Sequence, residues 1–552
     1  MEDMSLKTNE AKKKGEYKLL FKNTFYTYLN SYGSYIFSLA TSFILARTIS
    51  QELWGILILG ISYIAIISNI LYFFPPSIPS SLSHYIPRYY VQKEYDTLKT
   101  IVRNALTQRL IASVLFFLGS IIFFMFFINI FKLTLSEYAN ILFILAPLII
   151  VQGLNQAYVG VNQGFNQFKI IFYLLLLKYS VYIGGLLIII FSMNPVSIGA
   201  ITFVYLMSEL IPFFLNSINV YIRYVKIPAK PKKISFINTF KQLFNYGIFV
   251  SIGTWIDNTW NNIEYQAIGN FEAPRWVTGY TISINYFSVA RFSLSSFRNP
   301  LIVSFSRLDL AKDHIQIKKM FNFILNYTSF FFMILTGIFY FAADFFLSFF
   351  YGSSYLSFSY MTKMLVIASA FTILLPQFNA FIQGTNKVKL IPQIRVFFLL
   401  SRVPLFLIGL IFFGINGMIY SIIIFNIINL AIIVYLSYKL FDLGLDLKKI
   451  VLQLLNFILS ILLCEILNFV FLDNLNSIFL QFLNLSEIFG HLNVFSLIAY
   501  ILIYLAINFL FRNFTREDLA NIMTLFKKEN KIEKLIVKIS SYFGKFLRKT
   551  NR

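Results

Sequence analysis

Long apolar runs separated by short polar and basic stretches set the pattern of this chain. Runs such as Leu174 to Leu177 and Leu186 to Ile190 are apolar on every helical face, unlike the period-two alternation of a membrane β-barrel, and predict helices that cross a bilayer. At about 20 apolar residues per crossing, spans are expected near 25–46, 54–78, 101–129, 138–162, 170–192, 196–221, 243–268, 277–303, 320–343, 356–382, 390–413, 416–438, 450–472 and 492–511. The expected fold class is an all-α polytopic membrane protein with about 14 transmembrane helices. Prolines inside the runs, including Pro147, Pro212, Pro376 and Pro404, predict kinks where a neighbour or cavity satisfies the freed carbonyls.

Composition agrees. Of the 552 residues 58% are hydrophobic and 13% are charged, against about 25% charged in soluble domains, which excludes a soluble enzyme. The net charge of +23 would suggest a nucleic acid as partner if the basic residues formed a surface. They sit between the spans instead, and no nucleic acid is expected. With a cytoplasmic N-terminus, 38 of the 47 Lys and Arg fall in cytoplasmic tails and loops and three in the opposite loops, so both ends are expected in the cytoplasm and the protein in the cytoplasmic membrane. Lysines precede the first run as in a signal peptide, but the stretch from Phe25 to Ala46 is long enough to span and reads as a retained helix. One cysteine, Cys464, forms no intrachain disulfide, and three isolated histidines, His84, His314 and His491, suggest neither a metal site nor a Cys/His nucleophile. No Walker-type glycine loop is present. Catalytic residues, metals and organic cofactors are therefore not expected, and transport would be downhill, partner-driven or coupled to H+ or Na+.

The chain carries an internal duplication. Arg88, Lys93, Glu94 and Lys99 match Arg307, Lys312, Asp313 and Lys318 at an offset of 219, whereas Gln163, Gly164, Asn166 and Lys169 match Gln383, Gly384, Asn386 and Lys389 at 220, as Glu52 matches Glu272. Two loop types in one register imply a repeated six-helix unit, and six being even, a pseudo-two-fold axis along the membrane normal. The predicted organisation is a cytoplasmic N-tail at 1–24, a six-helix lobe at 25–221, a basic linker at 222–242, a second lobe at 243–438, two further helices within 450–511 and a basic amphipathic tail at 512–552. Apolar residues at helical spacing between lysines place that tail on the cytoplasmic leaflet or against a cytoplasmic partner.

Several short motifs occur in a familiar order. Lys22-Asn23-Thr24, a span ending Leu45-Ala46-Arg47, and Glu52-Leu53-Trp54-Gly55 are followed by Tyr246-Gly247-Ile248, Asp257, the loop Gly269 to Gly279, Ser306-Arg307, Phe350-Tyr351-Gly352 and Gln383-Gly384-Thr385-Asn386-Lys387. In this order they resemble the polysaccharide and O-antigen flippases of the multidrug/oligosaccharidyl-lipid/polysaccharide (MOP) exporter superfamily, over roughly residues 20 to 440. The resemblance implies two six-helix lobes in a MATE-like V around a central cavity, and the movement of polyprenyl-(pyro)phosphate-linked glycans across the membrane. It also implies that the last two helices form a groove for the lipid tail, with membrane lipids and other polysaccharide-assembly proteins as partners.

Ionisable residues inside spans are costly and are therefore functional candidates. Lys178, Glu209, Asp257, Glu264, Arg291, Arg402 and Glu465 lie deep, with Arg298 and Arg395 nearer the cytoplasmic ends. Asp257 and Glu264, Arg291 and Arg298, and Arg395 and Arg402 are each seven apart, so each pair shares a helix face. Arginine's planar fork suits phosphate oxygens, which makes Arg291, Arg298, Arg395 and Arg402 the phosphate candidates. Asp257, Glu264, Glu209 and Lys178 form either a coupling-ion site or a charge network, the latter with Asp257 and Glu264 paired to Arg291 and Arg298. Asn258, Asn261 and Asn262, with Trp255 and Trp260, suit sugar hydroxyls and sugar faces. Two other functions compete with flipping. An ion-coupled multidrug or organic-cation antiporter would want carboxylates rather than arginines in its cavity. A membrane-embedded glycosyltransferase or polymerase would need a catalytic loop, and the longest outer loop, Asp473 to Gly490, holds two acids, Asp473 and Glu487.

Overall fold

Where the apolar runs end, the chain turns on small or capping residues. The computed structural model describes residues 2–73, 78–127, 136–193, 195–231, 235–295, 301, 314–385, 390–441, 445–482 and 490–511, and every regular element among them is helical. The helices are α1 (Glu2–Thr48), α2 (Gln51–Phe73), α3 (Ile78–Val91), α4 (Tyr95–Phe127), α5 (Ser136–Leu145), α6 (Leu148–Gly164), α7 (Phe168–Ser192), α8 (Ile198–Lys226) and α9 (Phe236–Phe271). They continue as α10 (Pro274–Ser295), α11 (His314–Phe346), α12 (Ser359–Ala370), α13 (Leu374–Gly384), α14 (Leu390–Phe441), α15 (Leu447–Leu467), α16 (Asp473–Phe482) and α17 (Val494–Leu510). The amphipathic tail expected at 512–552 lies outside the described residues, as do Arg298 and Arg307.

Eight helices among the described residues are long and apolar enough to cross a membrane, nine if α12 and α13, bent by 44°, form one span. Three features keep this measure below 14. α14 counts once, although its 52 residues would reach about 78 Å as a straight helix, more than twice the roughly 30 Å apolar core. It holds two expected spans joined at Gly414, whose φ of 61° and ψ of −151° are open to glycine. The polar residues of α9 and α10 lower their hydropathy, and α17 is short at 17 residues.

Cα packing divides the chain into two units, Met1–Asn285 with Val388–Ile422, and Tyr286–Lys387 with Ile423–Arg552. Their limits fall inside α10, just before α14 and inside α14, so that residues 25–221 lie wholly in the first unit and 243–438 is divided between the two. In the first unit α2 lies along α9, α3 and α4 pack on α6, and α7 packs on α8 and α1. Ile78, Leu82 and Ile86 of α3, Leu98, Ile101 and Ala105 of α4, and Ala157 and Val161 of α6 form a buried core at one end of this bundle. In the second unit α11 packs against α12, α15 and α17, and α15 against α17. Asp446 caps α15 by accepting from the Lys449 amide at 3.3 Å, and Asn493 caps α17 by accepting from Ser496 at 2.9 Å.

The duplication has a local structural counterpart. α6 ends at Gly164 and α13 at Gly384, and the residues that follow take nearly identical angles, φ −89° and ψ 13° at Phe165, φ −88° and ψ 12° at Thr385. Each cap amide donates to the carbonyls two and four residues back. The span before each cap is broken as well, at Ala146 and Pro147 between α5 and α6 and at Phe371 to Ile373 between α12 and α13. Asn166 continues the first copy's turn in the left-handed region at φ 58°, which asparagine tolerates, and accepts from Asn23 of the N-terminal motif at 3.2 Å. The two turns related by Glu52 and Glu272 meet directly. Thr278 Oγ1 donates to the Gln51 carbonyl at 2.6 Å, and Gly55 lies so close to the Pro274 carbonyl that a side chain at 55 would strike backbone. This is the small-residue contact that lets membrane helices approach closely.

A buried charge network as candidate functional site

α9 carries Glu264 toward its end, and the carboxylate is fully buried. Three donors surround it. Trp260, one turn earlier on the same face, donates its indole N–H to Oε1 at 2.6 Å, and Tyr280 of α10 donates its hydroxyl to Oε2 at 2.8 Å. Arg402 of α14 completes the set with an ion pair through Nη2 to Oε1. Its guanidinium also lies over the Trp260 ring, 5.8 Å from the centroid, and Phe406, one turn further on α14, meets that indole edge to face. A carboxylate taken out of water needs such charge-assisted donors to offset its desolvation. The Arg402 side chain remains 27% exposed, so this cation is oriented on one side and reachable on another.

The second pair joins α7 and α8, where Lys178 Nζ lies 2.6 Å from Glu209 Oε1. Glu209 also borders a cavity of about 370 Å³ in the first unit, whose amide lining comes from Gln152, Asn155, Gln156 and Gln163 of α6. Asn216 of α8 donates to Asn155 and accepts from Asn162, both at 2.7 Å, and Asn219 donates to Asn162 at 2.9 Å, so amides tie α6 to α8 along this wall. Arg109 of α4 is fully buried and donates to the carbonyls of Gly153, at 3.0 Å, and Leu71, and to the Gln156 amide oxygen. Amides both donate and accept, which makes this surface suited to hydroxyl groups.

The structure thus brings Glu264, Arg402 and Trp260 into one network and Lys178 and Glu209 into another. Glu264 takes its cation from α14, whereas heptad spacing alone offered Arg291 and Arg298. Arg395 is half-buried two turns before Arg402. Asn258 and Asn261 are exposed on α9, Asn262 donates to the Asn258 carbonyl at 2.7 Å, and Trp255 is half-buried. Asp257 and Arg291 occupy helical positions, but their side chains, like all of Arg298, lie outside the described residues. Sequence reasoning missed Arg109, whose signal was a basic residue following Asn104 and Gln108 within a span. It also missed the pair of Lys363 with Asp344, 2.6 Å apart, whose members stand on successive spans 19 residues from one another.

The profile of the family described as "Polysaccharide biosynthesis protein" matches residues 20–298. No curated protein matches the chain by sequence. Among solved structures, an inward-facing multidrug resistance MATE family transporter of the MOP superfamily is similar with a TM-score of 0.59 at 14% identity, over 74% of this chain and 95% of its own. The lipid II flippase MurJ, in an inward closed conformation, is similar with a TM-score of 0.55 at 17% identity, over 88% of this chain and 98% of its own. A point mutant of the Vibrio cholerae MATE transporter VcmN gives 0.53 at 13% identity, over 76% and 96%.

Proposed function

Because this membrane-spanning chain belongs to the polysaccharide biosynthesis protein family, we propose that it flips lipid-linked oligosaccharide or polysaccharide precursors across the cytoplasmic membrane by alternating access. The observation that carries this reading is the oriented, reachable Arg402 in the same unit as an amide-lined cavity. A lipid-linked glycan presents a phosphate or pyrophosphate, hydroxyl-rich sugars and a long apolar tail. Arg402, held by Glu264 and Trp260, is the group for the phosphate, with Arg291, Arg298 and Arg395 as further candidates. The amides beside Glu209 suit the sugar, and the tail stays in lipid. A non-enzymatic mode of action, coupling to H+ or Na+ with Asp257 as its site, and cytoplasmic N- and C-termini belong to the same proposal.

Leaflet exposure of a fluorescent polyprenyl-pyrophosphate sugar in proteoliposomes tests it. Wild type should translocate the lipid, and Arg402→Lys, which keeps the charge but loses the planar fork, should slow it by about tenfold, one good charge-assisted bond. Translocation unaltered in Arg402→Lys and Arg402→Ala would remove the phosphate site. No translocation by folded wild-type protein would remove the function.

A further inference from the structure

A cavity of about 560 Å³ opens in the second unit where α11 ends, α12 begins, α15 ends and α17 begins. In the proposed orientation this is the face away from the cytoplasm. The volume is in the range of about 300–1,000 Å³ typical of small-ligand pockets, and the polar lining is held in place by the frame. Asn493 Nδ2 donates to Asp473 and to Asn468, both at 2.6 Å. Asn476 accepts from the Val494 amide at 3.2 Å and donates to the Leu492 carbonyl at 3.0 Å. Asp344 is set by Ser359 and Lys363. Phe341 and Leu480 add apolar surface.

The charge of this cavity differs from that of the chain. Three carboxylates, Asp344, Glu465 and Asp473, face one ammonium, Lys363, and one imidazole, His491, in a protein of net charge +23. A phosphate or uronate would meet like charge here, whereas hydroxyls and amines find acceptors from the carboxylates and both donors and acceptors from the amides. Among the described residues no group of three His, Cys, Asp or Glu converges to hold a metal ion. We propose that this cavity binds an uncharged or amino-substituted saccharide at the outer face. The inference rests on the flippase reading for its supply of glycan and deepens it, since it names sugars without acidic groups as those met after crossing.

The test uses the full chain in nanodiscs with four probes: chitotetraose, mannotetraose, the glucosamine tetramer and tetragalacturonate. At least one of the first three should bind and tetragalacturonate should not. Gln481 lines the cavity, so Gln481→Ala should weaken binding about tenfold, the value of one good hydrogen bond to a polar ligand, and Asp473→Asn should reduce the discrimination against tetragalacturonate. The bound tetrasaccharide attached to polyprenyl pyrophosphate separates the sources: affinity more than tenfold above the free sugar assigns the pocket to the lipid-linked head group, and equal affinity assigns it to free glycan. Failure of all four probes to bind, or binding unaffected by both variants, overturns the pocket. Saccharide binding by protein that fails to translocate the labelled lipid in proteoliposomes sinks the flippase reading and keeps the pocket, whereas translocation there without saccharide binding in nanodiscs does the opposite.

Discussion

Glu264 is fully buried and anchors one of the first unit's two carboxylate networks among the described residues. Its carboxylate accepts from Trp260, Tyr280 and Arg402 and is closed to solvent, so loss of the cation leaves a stranded negative charge. Arg402→Met is expected to cost about 3–5 kcal/mol of stability, as breaking a buried pair from one side does. Glu264→Gln, which keeps an acceptor of similar shape, should cost about 1.5–3 kcal/mol, and the double variant should recover part of the summed loss. Thermal unfolding of the four proteins in detergent measures this, and strictly additive losses would show that the pair is uncoupled. Both residues were legible in the sequence, because an ionisable side chain in an apolar run is expensive wherever it lies. Their partnership was not: seven-residue spacing fixes a shared face but says nothing about which helix, distant in sequence, packs there. Arg109 escaped for a related reason, since its acceptors are mostly backbone carbonyls, which leave no mark in the sequence.

Among the elements, α14 shows how much geometry one glycine carries. Gly414 reverses the direction between two spans, and Gly409 and Gly417 bring the flanking segments so close that a side chain at either would meet backbone of the other. Gly414→Ala, at φ 61° and ψ −151°, should cost about 1–3 kcal/mol, because that backbone conformation is open essentially to glycine alone. A lowered unfolding temperature with a preserved helical signal in circular dichroism is the expected readout, and an unchanged temperature would mean that the turn relaxes into another conformation. Apolar runs and basic loops gave the positions of most helices, since span length is set by bilayer thickness rather than by tertiary detail. The short α3 and α16 were hidden, because helices of 14 and 10 residues beside a span carry no separate hydropathy signal. The equal caps at Phe165 and Thr385 were readable in advance as a repeated Gln-Gly motif, whereas the backbone angles themselves were not.

At the scale of the whole molecule, the basic residues predict a sidedness that can be measured directly. A cysteine replacing Lys230, in the linker, should react with a membrane-impermeant maleimide from the cytoplasmic side, and one replacing Ser354, just before α12, from the opposite side. Both positions are exposed, and labelling of both from one side would refute the topology. What the sequence could not supply at this scale is the packing partition: α9 and part of α10 join the first unit because Gly55, Gln51 and Thr278 interlock the duplicated turns, a contact between residues more than 200 apart. The chain's one cysteine has a practical use. Cys464 is fully buried and donates to the Ser496 carbonyl at 3.3 Å, so the natural thiol is silent toward water-borne reagents. Engineered pairs of surface thiols would then carry the only spin or fluorescent labels on the protein, and distances between them could test the proposed alternating access without first stripping the native chain.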